Sequence, residues 1–475
     1  MSSALLAREW ALLRGERGFG VACLLVLLLS GYAVWSGARW QAERWLDHQA
    51  GIALAAEAVA REAEQLAAIE RGELPIAAAA GAGLPHVVRT ELALPPRALA
   101  GVAIGEAELR PTRATISATT RAHEMFRFQE VDNPILLGWG RFDLAFLVVF
   151  LLPLLVAGFS CTVLSTDRAS GTLRLVLSQP VGAGRLAGAR VLLRGGLLTL
   201  LAAAGATLGW GVAGTASVPP AATELAMLAG VILAYGAFWC ALALWVVSLN
   251  RSSEHNALAM VLIWTLLVLV LPALITLLAR EWSPVPSRLE YITVAREAEN
   301  AANARGRELL SGYLLDHPEL EATRSDAVAP FIKTFVLVQR EVEQAVAPIV
   351  ARYAAAELAQ RRLGDALRWV SPRDLAERAL LQVAGNDPAR FARFEAQAHR
   401  VRADWLAAVE PPIIAGRRLA AGEYGRLPRP TFEEPPPATL ARGALQTLAL
   451  LAAFTLLAGF AAARNFRRFS PASEC

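Results

Sequence analysis

The residues best placed to do chemistry in this chain are arginines. A guanidinium pairs with carboxylates, phosphates and carbonyls rather than breaking bonds itself. Of the 46 basic side chains, Lys333 is the only lysine. A P-loop needs G-x-x-x-x-G-K-[ST], with its lysine on the nucleotide phosphates. Lys333 lies in Phe331-Ile332-Lys333-Thr334, with no glycine at the required spacing. The chain therefore lacks a nucleotide-hydrolysing loop of its own. The six histidines are scattered, and none falls in H-E-x-x-H or at zinc spacing from cysteine. Cys23, Cys161 and Cys240 sit in apolar stretches and Cys475 ends the chain, so no disulfide framework is expected. Ser160 has no base near it in the sequence. No catalytic, cofactor-binding or metal-ligating residue is expected, and the chain does not read as an enzyme.

The most informative stretch runs from Ser165 through Asp167, Arg168, Gly171-Thr172-Leu173-Arg174 and Leu177 to Ser178-Gln179-Pro180-Val181. Leu173, Val176 and Leu177 should form the apolar edge of a short helix flanked by arginines. Pro180 should end it, and a second helix should start near Arg185. Such a helix suits docking of a soluble partner; it equally suits a basic helix resting on lipid headgroups. The stretch Asn250–Asn256, with Arg251 and Glu254, reads as a second contact of the same kind or as a plain tight turn.

Six apolar runs hold these loops: 18–38, 142–164 (uncharged from Leu144), 195–215, 225–249, 257–279 and 443–463. Each is long enough for a membrane helix. The chain is 55% hydrophobic and 19% charged, and the split along its length carries more than the average. The first run is too long for a signal-peptide core and reads as an uncleaved anchor. Arginines cluster in 1–17, in 165–194, at Arg251 and in 464–475. The positive-inside rule then places both termini in the cytoplasm. Trp35, Trp40, Trp139, Trp210 and Trp282 fall at the opposite ends of their spans and suit an outer aromatic belt, whereas Trp10 and Trp245 do not. The net charge of +4 fits a positive-inside membrane protein, and no nucleic-acid partner is expected. Spans two to six hold no Asp, Glu, Lys, Arg or His, which argues against a proton-coupled carrier or an intramembrane acid–base enzyme. Pro153 and Pro272 would permit bending within spans two and five.

Two long segments, 39–141 and 280–442, therefore face outward. In the first, Trp45, Ile52, Val59 and Leu66 recur every seven residues, a coiled-coil-like seam that should extend span one to Gly72. Residues 76–135 suggest short strands. In the second, Phe331, Phe335, Val338, Val342, Ala345, Ile349, Tyr353 and Ala356 form one helical stripe, with a kink expected at Pro348. Glu290–Leu315, Pro372–Val383 and Pro388–Val409 read as further helices, and 428–437 as a stiff strap. The expected fold is mainly α: a polytopic membrane protein with six transmembrane helices and a large, mostly helical extracytoplasmic domain. Near the start, Leu6, Trp10 and Leu13 should form an amphipathic stripe.

In the loop after span two, an acidic residue, then Gly-Thr-Leu, then Ser-x-Pro resembles the permeases of ABC-2-type transporters. Asp167, Gly171-Thr172-Leu173 and Ser178-Gln179-Pro180 carry the resemblance, together with six spans and internal termini. It departs at Asp167, where glutamate is common, and at Arg185 and Arg190, which stand for lysine. The large inserts resemble a branch of that family with big extracytoplasmic segments. The resemblance implies that Asp167, Arg168, Gly171, Thr172, Leu173, Leu177, Pro180 and Arg185 couple to an ATP-binding subunit, present in two copies, with Arg251 and Glu254 as a second coupling loop. It implies that ATP and Mg2+ belong to that P-loop partner, that a second permease chain (a copy or a paralogue) completes the pore, and that the complex sits in a bacterial inner membrane with its large domain in the periplasm. Export of a substrate is the expected activity. The alternative is a receptor or mechanotransmitter whose outer domain moves, or binds an extracytoplasmic protein, without translocation.

Overall fold

The computed structural model describes residues 3–122, 124–127, 142–213, 218–285, 287–316 and 327–469. Trp139, Cys475 and residues 128–135 of the segment expected to hold short strands lie outside the described residues. Among the described residues, six helices are long and apolar enough to cross a membrane. They are α2 (Arg17–Glu70), α3 (Leu144–Ala169), α5 (Ala183–Ala213), α6 (Ala222–Ser248), α7 (Ser253–Trp282) and α14 (Pro437–Phe466). Two short helices, α1 (Ser3–Leu13) and α4 (Thr172–Leu177), lie at one end of this bundle. There Leu5, Phe466 and Phe469 pack on a cluster of Leu173, Leu186, Val191 and Val247, so both ends of the chain meet at this termini-bearing end.

The two internal prolines act through the backbone. Proline has no N–H and pushes away the carbonyl four residues before it. In α3 the turns before Pro153 widen into a π segment, Leu147–Leu151. In α7 the same happens at Thr265–Val270, just before Pro272. Val149, four residues before Pro153, gives its carbonyl to the Tyr235 hydroxyl of α6 at 3.2 Å. Phe150 gives its own to the Trp264 indole N–H at 3.2 Å. The expected bends thus take the form of widened turns, and in α3 the freed carbonyls are satisfied by neighbouring helices. Close helix packing at this level needs Gly236: a Cβ there would meet the Thr199 side chain at 2.2 Å.

The two long segments fold together at the far end. Three short antiparallel strands, β1 (Arg89–Ala93), β2 (Arg113–Ser117) and β3 (Phe126–Arg127), pair with Leu92 opposite Ala114 and Ala114 opposite Phe126. Leu92, Ile116 and Met125 pack with Leu66 of α2 and with Phe391, Phe394, Trp405 and Val409. The last four belong to α12 (Pro388–Ala415), which follows α8 (Arg288–Ala304), α9 (Gly306–Asp316), α10 (Pro330–Arg368) and α11 (Pro372–Ala384), and precedes α13 (Ala421–Gly425). The strap is fastened to α12, with Gln397 exchanging side-chain hydrogen bonds with the Glu433 backbone at 2.9 and 3.0 Å.

Several expectations need correction. The segment Glu290–Leu315 is not one helix, because it breaks at Arg305 between α8 and α9. The seam on α2 is buried at Leu66, but Ile52 is exposed. At Gly51 the helix instead carries the Arg113 guanidinium, from the start of the central strand β2, rather than a coiled-coil mate. On α10, Val338 is buried, but Phe331 is 70% exposed. The helix runs through Pro348 without ending.

The largest correction concerns 280–442, which does not stay outside the bundle. Gln360 donates to the Ser283 carbonyl at 3.1 Å, at the far end of α7. One turn further, Gly364 faces the Ala279 methyl. The chain then turns at Trp369–Ser371, and α11 runs back beside α6 and α14. Leu375, Ala376, Ala379 and Leu380 are buried in the same core as Tyr235 and Trp239. Tyr235 is the central residue of the 27-residue α6. The α10–α11 hairpin is therefore inserted among the six helices. It brings Arg373 within 5.4 Å of the Phe150 ring centroid. Arg373 pairs with Asp374 at 2.7 Å and Glu377 at 3.0 Å. Spans two to six carry no Asp, Glu, Lys, Arg or His in their apolar runs, but the hairpin brings charged side chains among them, Arg373, Asp374 and Glu377 included. Charges at such depth are kept where they pair with one another inside protein.

Candidate functional site

The termini-bearing end is built from three short elements. The helix α3 ends at Ala169, and Gly171 takes φ +75°, a left-handed turn that glycine adopts without a Cβ penalty. Thr172 opens α4, and its hydroxyl donates to the Asp167 carbonyl at 3.2 Å. Ser170 donates to the same carbonyl at 3.1 Å. These local bonds fix the angle between α3 and α4.

A six-residue helix does not hold its shape alone. Leu173 anchors it and is 1% exposed, packed with Leu186 and Val247. Val176 and Leu177 are half-buried against the same cluster. The expected docking edge of Leu173, Val176 and Leu177 is therefore turned mostly inward. The leucine that faces outward is Leu175, 73% exposed. Pro180 is exposed in the turn before α5, as are Thr172, Arg174, Gln179 and Arg185.

The charged residues divide into held and free ends. Arg190 pairs with Asp167 at 2.6 Å and with Glu9 of α1 at 2.9 Å, and donates to the Val163 carbonyl at 2.5 Å. Asp167 is thus engaged within the chain and is not presented outward. Arg194 pairs with Glu16 at 2.5 Å. Together these pairs lash α1 to the start of α5. Leu13 is buried at the end of α1, and Trp10 is covered by Arg14 at 5.0 Å.

Arg168 does something the sequence did not reveal. It donates to the Asn250 carbonyl at 2.8 Å and to the Arg251 carbonyl at 3.3 Å, and it also meets the Asn250 side-chain oxygen. Nearby, the Ser253 and Ser165 hydroxyls bond at 2.7 Å, and Asn256 donates to the Cys161 carbonyl at 3.1 Å. The loop between α6 and α7 is therefore locked to the end of α3. Arg251 and Glu254, on this loop, are exposed. The signal for this was thin: Asn250 takes φ +59°, which asparagine tolerates better than most residues, and Ser252 caps α7.

No group of three or more His, Cys, Asp or Glu side chains suited to a metal occurs among the described residues. At the α6–α7 loop the Ser252 hydroxyl and a His255 ring nitrogen meet at 2.9 Å. A family described as a domain of unknown function (DUF3526) matches residues 288–433, less than a third of the chain. That stretch holds α8 to α13 with the inserted hairpin, and none of the loop between α3 and α5. No curated protein and no solved structure matches the chain.

Proposed function

We propose that this chain is the membrane-spanning permease subunit of an ATP-driven transporter of the ABC-2 type. A separate P-loop subunit, in two copies, would hold ATP and Mg2+, and a second permease chain would complete the complex. The observation that carries this reading is the Arg168 clasp, which joins the loops after spans two and four into one face. A partner pushing on Leu175, Arg174 and Arg251 would move α3, α6 and α7 together, because the clasp ties their ends. Those helices meet the hairpin at the level of Phe150 and Tyr235, so the same push would reach α11. In this reading the termini-bearing end is cytoplasmic, the far-end domain is extracytoplasmic, and substrate leaves the cell. The test is reconstitution with the co-purified ATPase. ATP-dependent movement of substrate into inside-out proteoliposomes supports export, and its absence with intact hydrolysis counts against it.

A second reading has its own support. The helix α2 is continuous over 54 residues, about 80 Å at 1.5 Å per residue, and joins the bundle to the far-end core. Such a strut suits a mechanotransmitter, whose output is motion of the outer domain. Spin labels on α2 beyond Glu62 and on α12 would then change separation with nucleotide while no substrate crosses.

A further inference from the structure

The far-end sheet has two unlike faces. Leu92, Ala114 and Ile116 share the face that packs into the core and are fully buried. The strand register puts Arg89 opposite Ser117 and Glu91 opposite Thr115 on the other face. Thr115 and Ser117 are polar, yet only 9% and 8% exposed. They line a groove of about 400 Å³, a volume in the range of small-molecule sites. His86, Val87 and Arg89 line it from the start of β1, and Thr119, Thr120 and Glu124 from the turn after β2.

That turn is anchored to α10 and α12. The Thr120 carbonyl accepts from the Gln339 amide at 3.3 Å and from the Arg402 guanidinium at 3.5 Å. Arg402 is itself held by Glu343 of α10 at 3.0 Å. Side chains carried on elements fixed in this way need little reordering when a ligand arrives.

The hydroxyls form a small network. The Ser117 hydroxyl lies 2.7 Å from that of Thr120 and 3.3 Å from that of Thr119, and it accepts the Thr120 N–H at 3.2 Å. A hydroxyl has one hydrogen and two lone pairs. Ser117 therefore donates to one threonine and accepts from the other. The two threonines are left with more lone pairs than O–H groups. Thr115 gives its hydrogen to Glu91 at 3.4 Å and keeps its own lone pairs. An oxyanion brings only lone pairs, so it does not suit this surface. The charged residues of the wall, Arg89 and Glu124, are of opposite sign, and the wall favours neither an anion nor a cation. Burial lowers the His86 imidazole below its ordinary range, so it adds no charge at pH 7. The ligand that fits is uncharged and carries several hydroxyls of its own.

We propose that this groove binds a neutral saccharide unit, whose hydroxyls donate to Thr115, Thr119 and Thr120. The proposal stands whether or not an ATPase docks at the other end.

The test is saturation-transfer difference NMR on the full chain in lipid nanodiscs, against empty nanodiscs. The probes are glucose, galactose, N-acetylglucosamine, maltose and trehalose, each titrated to about 5 mM. At least one should show transfer above empty nanodiscs, with a Kd of about 1 mM or tighter. Thr120→Val removes one hydroxyl at nearly constant volume and should weaken that sugar about fivefold. Val87 is 43% exposed, so Val87→Trp should fold normally and abolish transfer by filling the groove. No transfer from any of these sugars would overturn the proposal. So would a Kd unaltered in either variant, or calorimetric binding of inorganic phosphate that is lost in Val87→Trp.

Discussion

The Arg168 guanidinium donates to the Asn250 backbone carbonyl at 2.8 Å, across 82 residues of sequence. It reaches the neighbouring Arg251 carbonyl at 3.3 Å, so one side chain spans two acceptors. Lysine is a point charge on a flexible stem and does not reproduce this fork. Arg168→Lys should therefore behave more like Arg168→Ala than like the native chain. In a reconstituted complex both should uncouple ATP hydrolysis from the far-end response while partner binding persists. Native coupling in Arg168→Ala would remove the clasp from the mechanism.

Neighbouring leucines on α4 should have opposite effects. Leu173→Ala removes a fully buried anchor and should cost about 2–5 kcal/mol, seen as a lower melting temperature. Leu175→Ala, at an exposed position, should change stability by no more than about 0.5 kcal/mol. Differential scanning fluorimetry in detergent compares the two directly.

The inserted hairpin makes a geometric prediction. A Cβ built on Gly443 would lie 3.0 Å from the Gln382 side-chain oxygen. The double variant Gln382→Cys with Gly443→Cys should be joined by a short bifunctional thiol reagent, visible as a mobility shift after cleavage between the two sites. No cross-link would mean that α11 does not rest beside α14. A cross-link that also abolishes nucleotide-driven change would show that the hairpin must move.

The far-end domain should lose stability in mild acid. Burial lowers the imidazoles of His48 and His86 below the ordinary value of 6.5, and Arg113 adds to the effect at His48. Between 6.5 and the lowered values the unfolded chain binds more protons than the folded one. Stability is therefore full above pH 6.5 and falls as pH drops through that window. Asp387 and Glu410, raised chiefly by burial, act oppositely nearer the carboxylate range. The pair His48→Gln with His86→Gln should flatten the decline in melting temperature between pH 7 and pH 6. An unchanged slope would place the proton uptake elsewhere.

The six long helices were legible because an uncharged run of about twenty residues has few other uses. Pro153 and Pro272 could be located, but not their effect, since a widened turn depends on partners such as Tyr235 on another helix. The hairpin was hidden by its own composition. Leu375, Ala376, Ala379 and Leu380 give the same periodicity whether the opposing face is soluble or apolar. Arg373, Asp374 and Glu377 on the same helix pair with each other beside Phe150, which no local pattern encodes. In the loop after span two, the pattern marked a short helix but not its facing. Which of Leu173 and Leu175 points inward is set by Leu186 and Val247, whose proximity no local pattern encodes.

The most direct test is capture of the tagged full chain from its native membranes, with mass spectrometry of what accompanies it. A P-loop ATP-binding subunit should be recovered in near-stoichiometric amount, and Leu175→Glu should lose it while the chain itself stays folded and abundant. Recovery of the native chain without any P-loop protein, or equal recovery of one with Leu175→Glu, would contradict the proposal that this face receives an ATPase.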